Sequence, residues 1–190
     1  MSRSPDSNPL SSNMFEWAKA IGICLTVLSL VYCSGGQGDL PSKPWIGSWM
    51  LQEWTAMRAD GALIEPFGER PQGLLLYTEA REVVLVLMRS DRQGFSSDDP
   101  SERSPQEIED AFHSFFTYSG RYQVDTEGGV ITHQVELCSN PNWVGRNQTR
   151  YFHLDGGSLI LTTPPIETIT TEDQAVQHKL VWARSPLEVQ

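Results

Sequence analysis

The chain has 190 residues, 39% of them hydrophobic and 20% charged, with a formal net charge of −10. That length can bury a core without staples, and the acidic balance speaks against binding a phosphate backbone. Three cysteines, Cys24, Cys33 and Cys138, and four histidines at 113, 133, 153 and 178 show no metal-ligand spacing, so neither a metal nor a cofactor is expected.

Residues 1–13 are polar and rich in Ser, Pro and Asn, a composition that cannot order itself. Ala20 to Cys33, "AIGICLTVLSLVYC", is almost wholly apolar, follows Lys19 and precedes the small residues "SGGQG". It reads as a secretory signal and is shorter than the roughly 18 residues of a spanning helix. A retained membrane anchor, or a misassigned start leaving a cytoplasmic domain, are the rival readings. Asn147-Gln148-Thr149 is a glycosylation sequon, and Asn147 is its acceptor. Residues 1–38 are therefore set apart as a disordered, signal-bearing N-terminus, and residues 43–186 as one globular domain.

Within that domain, strand-like segments alternate with turn signals. "IGSWMLQEWTAM" ends at Asp60-Gly61, a strong hairpin signal, and "ALIEPF" is cut short by Pro66. "GLLLYT" and "VVLVLMR" flank "EARE"; "GRYQVD" and "VITHQVEL" flank "TEGG"; "TRYFHL" and "SLILTT" flank "DGG"; "VQHKLVWAR" closes the series. Short strands at such spacing predict an all-β sandwich or antiparallel barrel of about eight to ten strands.

One segment breaks the pattern. Ser104, Pro105 and Glu107 form a capping box with proline at the first helical position, and Ile108, Ala111, Phe112 and Phe115 recur at helical spacing. An amphipathic helix over 104–118 is predicted, with Gly120 as its stop. The polar loop before it, "SDRQGFSSDDPSER", has the length of a lid or a disordered segment.

"KPWIGSWML" opens the first long strand, and "VWAR" ends the last. A small barrel must pair its first strand with its last and plug one end. Gly47 permits close approach, Trp49 supplies a large plate, and the Arg184 guanidinium is suited to cover an indole face. This Gly-x-Trp with a late arginine, together with "GERPQGLLLYT", "LMRSDRQGF", "GRYQVD", "VITHQVE", "NPNWVG" and "LTTPPI", resembles the lipocalin-like domain family of bacteria and filamentous fungi over roughly residues 45–184. Two departures from true lipocalins stand out: the Thr-Asp-Tyr segment is absent, and the helix lies mid-chain. The resemblance implies a barrel that holds a small, largely apolar molecule.

Alternation places Ile131, His133, Val135 and Leu137 on one, inward face, which makes His133 a titratable group among apolar neighbours. Its bland reading is a structural histidine bonded to a neighbouring carbonyl or hydroxyl. Its functional reading is an acid–base group, with Tyr122 and Arg89 as catalytic helpers. Tyr77, Trp143 and Tyr151 are the candidate ligand-binding residues, phenols being able to orient a carbonyl or hydroxyl. Arg89 could equally pair with Asp91 or Asp98.

No nucleophile motif, dinucleotide fingerprint or phosphate loop occurs. Two functions stay open: a cofactor-free isomerase or cyclase acting on a natural-product intermediate, and a non-catalytic carrier of a hydrophobic ligand. Membrane association is expected only if the N-terminal segment is retained.

Overall fold

The computed structural model describes residues 43–166 and 176–185. The signal-like run at 20–33, Cys24 and Cys33 lie outside them. Among the described residues, no helix is long and apolar enough to cross a membrane.

Among the described residues, nine antiparallel strands follow in chain order: β1 (Gly47–Met57), β2 (Leu63–Ile64), β3 (Gln72–Tyr77), β4 (Glu82–Met88), β5 (Phe115–Asp125), β6 (Val130–Cys138), β7 (Asn147–Asp155), β8 (Ser158–Thr162) and β9 (Gln177–Arg184). β1 pairs with β3, each strand from β3 onward pairs with the next, and β9 returns to β1, so the sheet closes on itself. The two-residue β2 pairs only with the end of β1 and stands outside the ring, which leaves an eight-stranded up-and-down barrel.

The helix α1 (Pro105–His113) starts as predicted. Ser104 accepts from the Glu107 backbone N–H, and the Glu107 carboxylate accepts in return from the Ser104 backbone. The bonds its carboxylate accepts from Ser104 and from the Ser96 N–H hold the Glu107 pKa down to about 2. The helix ends five residues earlier than the 104–118 span. Ser114 closes it, and Phe115 and Phe116 already pair with Met88 and Leu87. Barrel closure requires a long β5, and its ladder overrides the local helical spacing. Gly120 is accordingly no helix stop. It lies inside β5, where a Cβ would sit 2.0 Å from the Gln134 carbonyl oxygen. The expected apolar helix face is not buried either: Ile108 is 53% and Phe112 43% exposed. The polar loop before α1 is ordered, with Arg103 stacked 4.1 Å from the centre of the Phe95 ring.

Two bulges set which side chains reach the interior. In β1 the pairing with β9 skips Gln52, so Trp49 and Leu51 point inward on one parity and Trp54 and Ala56 on the other. In β6 the pairing with β5 skips Glu136. Ile131, His133 and Val135 are buried as the alternation predicts, but Leu137 is turned outward, 69% exposed, and Cys138 packs inward instead. One extra residue inverts every later side chain of a strand.

One end of the barrel is plugged by Trp45 and Trp49. The Trp49 indole N–H donates to the Trp45 carbonyl at 2.8 Å. Arg184 covers Trp49 with its guanidinium carbon 4.3 Å from the ring centre, and donates to the carbonyls of Ile46 and Pro44. Gly47 has φ +129°, and a Cβ there would meet the Arg184 guanidinium at 2.6 Å. Both departures explain why only glycine fits between the two tryptophans.

Candidate functional site

The barrel interior holds a polar chain near its middle and a small cavity toward the end opposite Trp49. His133, fully buried, is the centre of the chain. Its Nε2 lies 2.7 Å from the Tyr77 hydroxyl and its Nδ1 2.6 Å from the Tyr118 hydroxyl. A neutral imidazole offers one donor and one acceptor, so one phenol donates to the ring and the other accepts from it. Arg150, a pure donor whose charge lowers the Tyr118 pKa against the effect of burial, favours Tyr118 as the donor to Nδ1. The Nε2–H then donates to Tyr77. Burial first and Arg150 second hold the His133 pKa well below the ordinary histidine range. At neutral pH His133 is therefore uncharged, with both ring nitrogens engaged.

The cavity measures about 50 Å3. Trp54 of β1, Phe67, Leu85 and Leu87 of β4, Phe116 of β5 and Trp143 supply its apolar wall. Tyr118, Arg150, Thr163 and His178 supply its polar groups. Trp143 sits on the connection between β6 and β7 and packs edge-on against Phe116, with ring centres 5.1 Å apart.

His178 of β9 faces the same space. Its Nδ1 accepts the Trp54 indole N–H at 3.0 Å, which assigns the ring proton to Nε2. Burial and Arg150 lower its pKa to about 4.

The structure separates the residues singled out from sequence. His133 and Tyr77 come together. Tyr122 is in register with His133, but its hydroxyl donates to the Thr78 carbonyl at 2.7 Å and its ring packs on Tyr77, away from the cavity. Trp143 lines the cavity. Arg89 lies outside the barrel in a 2.7 Å ion pair with Asp91, one of the two partners foreseen for it. Tyr151 is 47% exposed on the outer face of β7, together with His153. Asn147 is exposed at the start of β7.

Sequence reasoning missed Tyr118, Arg150 and His178. Tyr118 had been absorbed into the helix. Arg150 shares the inward face of β7 with Phe152 and Leu154, and the charged residue masks that pattern. His178 carried a readable signal, because Val176, Leu180 and Trp182 alternate with it on one buried face.

An eight-stranded antiparallel barrel, plugged at one end by tryptophan and enclosing one small, mainly apolar cavity, defines the lipocalin-like class of architecture. The chain belongs to the lipocalin-like domain family, whose sequence profile matches residues 46–185. It is also similar to the 4'-hydroxy-3'-methoxypropiophenone carrier protein of Aspergillus oryzae, 33% identical over 87 residues that cover 43% of this chain and 77% of that protein.

Proposed function

We propose that the barrel binds a small apolar molecule with one polar edge and serves as its carrier beside enzymes of natural-product synthesis. The observation that carries this reading is the cavity itself: aromatic and aliphatic walls with a few polar groups among them, the usual make-up of a small-molecule site. The name of the Aspergillus oryzae relative, a carrier of an aryl ketone, supports the same reading.

The cavity, at about 50 Å3, is well below the ~150 Å3 that holds a benzene ring. A ring-sized ligand must therefore displace a wall. Phe67 and Trp143 are the aromatic wall residues that stand on connections rather than on long strands.

A cofactor-free isomerase or cyclase is the second reading. It draws on Tyr118, which stands on the cavity wall and is joined to His133. Against it, burial raises the Tyr118 pKa and lowers that of His133, so neither group is poised to exchange a proton at neutral pH.

Calorimetric titration with 4'-hydroxy-3'-methoxypropiophenone, followed by NMR of the recovered ligand, tests the proposal. Saturable binding with the ligand returned unchanged is the carrier outcome. Conversion of the ligand moves the assignment to the enzyme, and absence of binding removes this ligand class.

A further inference from the structure

Four buried side-chain nitrogens among the described residues have no hydrogen-bond partner: Trp45 Nε1, Arg103 Nε, Trp182 Nε1 and His178 Nε2. Only His178 belongs to a residue that lines the cavity. A buried donor left without a partner costs free energy, so one beside a ligand cavity needs an explanation. His178 is 2% exposed, and its backbone N–H is already satisfied by the Thr163 hydroxyl at 3.0 Å. Its other ring nitrogen is occupied by Trp54. The backbone is thus tied to Thr163 and the ring is held in one tautomer by Trp54, with a single ring N–H unused.

We propose that the His178 Nε2–H is the specificity-determining donor of the barrel, and that it selects flat apolar ligands carrying an acceptor oxygen, of the aryl ketone class. The inference rests on the carrier reading and deepens it. Trp54, Phe67, Phe116 and Trp143 offer ring faces and edges to a flat body. A neutral N–H suits an uncharged carbonyl oxygen. Trp54 acts as a positioning residue, because its indole N–H keeps the proton of His178 on Nε2 rather than Nδ1. A hydrocarbon of the same shape leaves that donor unpaired and is discriminated against, in the way that sites built around a buried polar group reject analogues lacking its partner.

The test compares propiophenone with propylbenzene, which has the same ring and chain length without the oxygen, by calorimetric titration of the full chain. Wild-type protein should bind the ketone roughly tenfold more tightly, the effect of about one hydrogen bond. His178→Phe should abolish that preference while still binding propylbenzene. In wild-type protein, the imidazole Nε2–H resonance of His178 should shift on adding propiophenone and stay in place with propylbenzene, a readout that holds even if the variant fails to fold. Equal affinity of wild-type protein for both probes, a preference that survives in a folded His178→Phe, or an unmoved resonance at saturation with propiophenone overturns the inference and leaves the carrier reading intact. Failure of wild-type protein to bind either probe overturns both.

Discussion

Arg184 and Trp49 are direct partners across the seam where the last strand meets the first, and the guanidinium lies over the indole it faces in register. The pair both closes the ring and seals its floor. Trp49→Ala should lose roughly 3–5 kcal/mol through the cavity it leaves. Gly47→Ala should destabilise as well, since it forces a side chain into a left-handed conformation and against Arg184. Urea denaturation followed by far-UV dichroism measures both; a midpoint unchanged in Trp49→Ala would show that the floor bears no structural weight.

The Tyr118–His133–Tyr77 chain should respond to loss of one hydroxyl. Tyr118→Phe keeps the ring and leaves the His133 Nδ1 without a partner, a cost of about 1–3 kcal/mol. Adding His133→Leu should then cost less than the sum of the two single changes, because the orphaned nitrogen is removed. Strict additivity of the two changes in chemical denaturation would rule out a coupled pair.

Stability should fall on mild acidification. His178 is held neutral with a pKa of about 4, against 6.5 for an ordinary imidazole. Between those values the unfolded chain binds more protons than the folded one, so the contribution is complete above pH 6.5 and declines as pH drops toward 4. From that shift alone the loss is ~3 kcal/mol, and His133, shifted in the same direction by burial and Arg150, adds to it. Denaturation midpoints measured across this range check the sign: stability that is flat or rising as pH falls contradicts the buried neutral imidazoles.

A chain beginning at Gln37 should fold and retain ligand binding, because the family profile starts only at residue 46 and the plug at Trp45. Thermal denaturation of the shortened and full-length chains should give matching midpoints. Aggregation of the shortened chain alone would assign residues 1–36 to the barrel.

Much of this architecture was legible because its parts are local. The turn signals and the capping box at Ser104 each rest on a few neighbouring residues, and the distant Trp49–Arg184 pair follows from the need of a closed barrel to join its first strand to its last. What stayed hidden depends on partners distant in sequence. The bulges at Gln52 and Glu136 are defined by the facing strand, and no alternation count anticipates them. The Gln52 bulge is what allows Trp49 and Trp54, five positions apart, both to point inward. Strict alternation also gave Leu137 the wrong side and offered no reason to expect a buried arginine at position 150. The inward placement of His133 was legible from its alternation, yet its two phenol partners come from β3 and β5, whose arrangement only the closed sheet reveals.

The closure of β9 onto β1 has a topological consequence. The Ser185 N–H donates to the Ser48 carbonyl at 2.8 Å, so the described fold finishes where it starts. The ring has no first strand in any physical sense, and the covalent order is one of several cuts through the same circle. A circular permutant with Lys43 linked to Ser185 through a short bridge, and new ends at the exposed Gly156-Gly157 turn between β7 and β8, would keep every ladder except that hairpin's covalent link. The contacts that make the cavity would be untouched, and only the order in which the strands are synthesised would change.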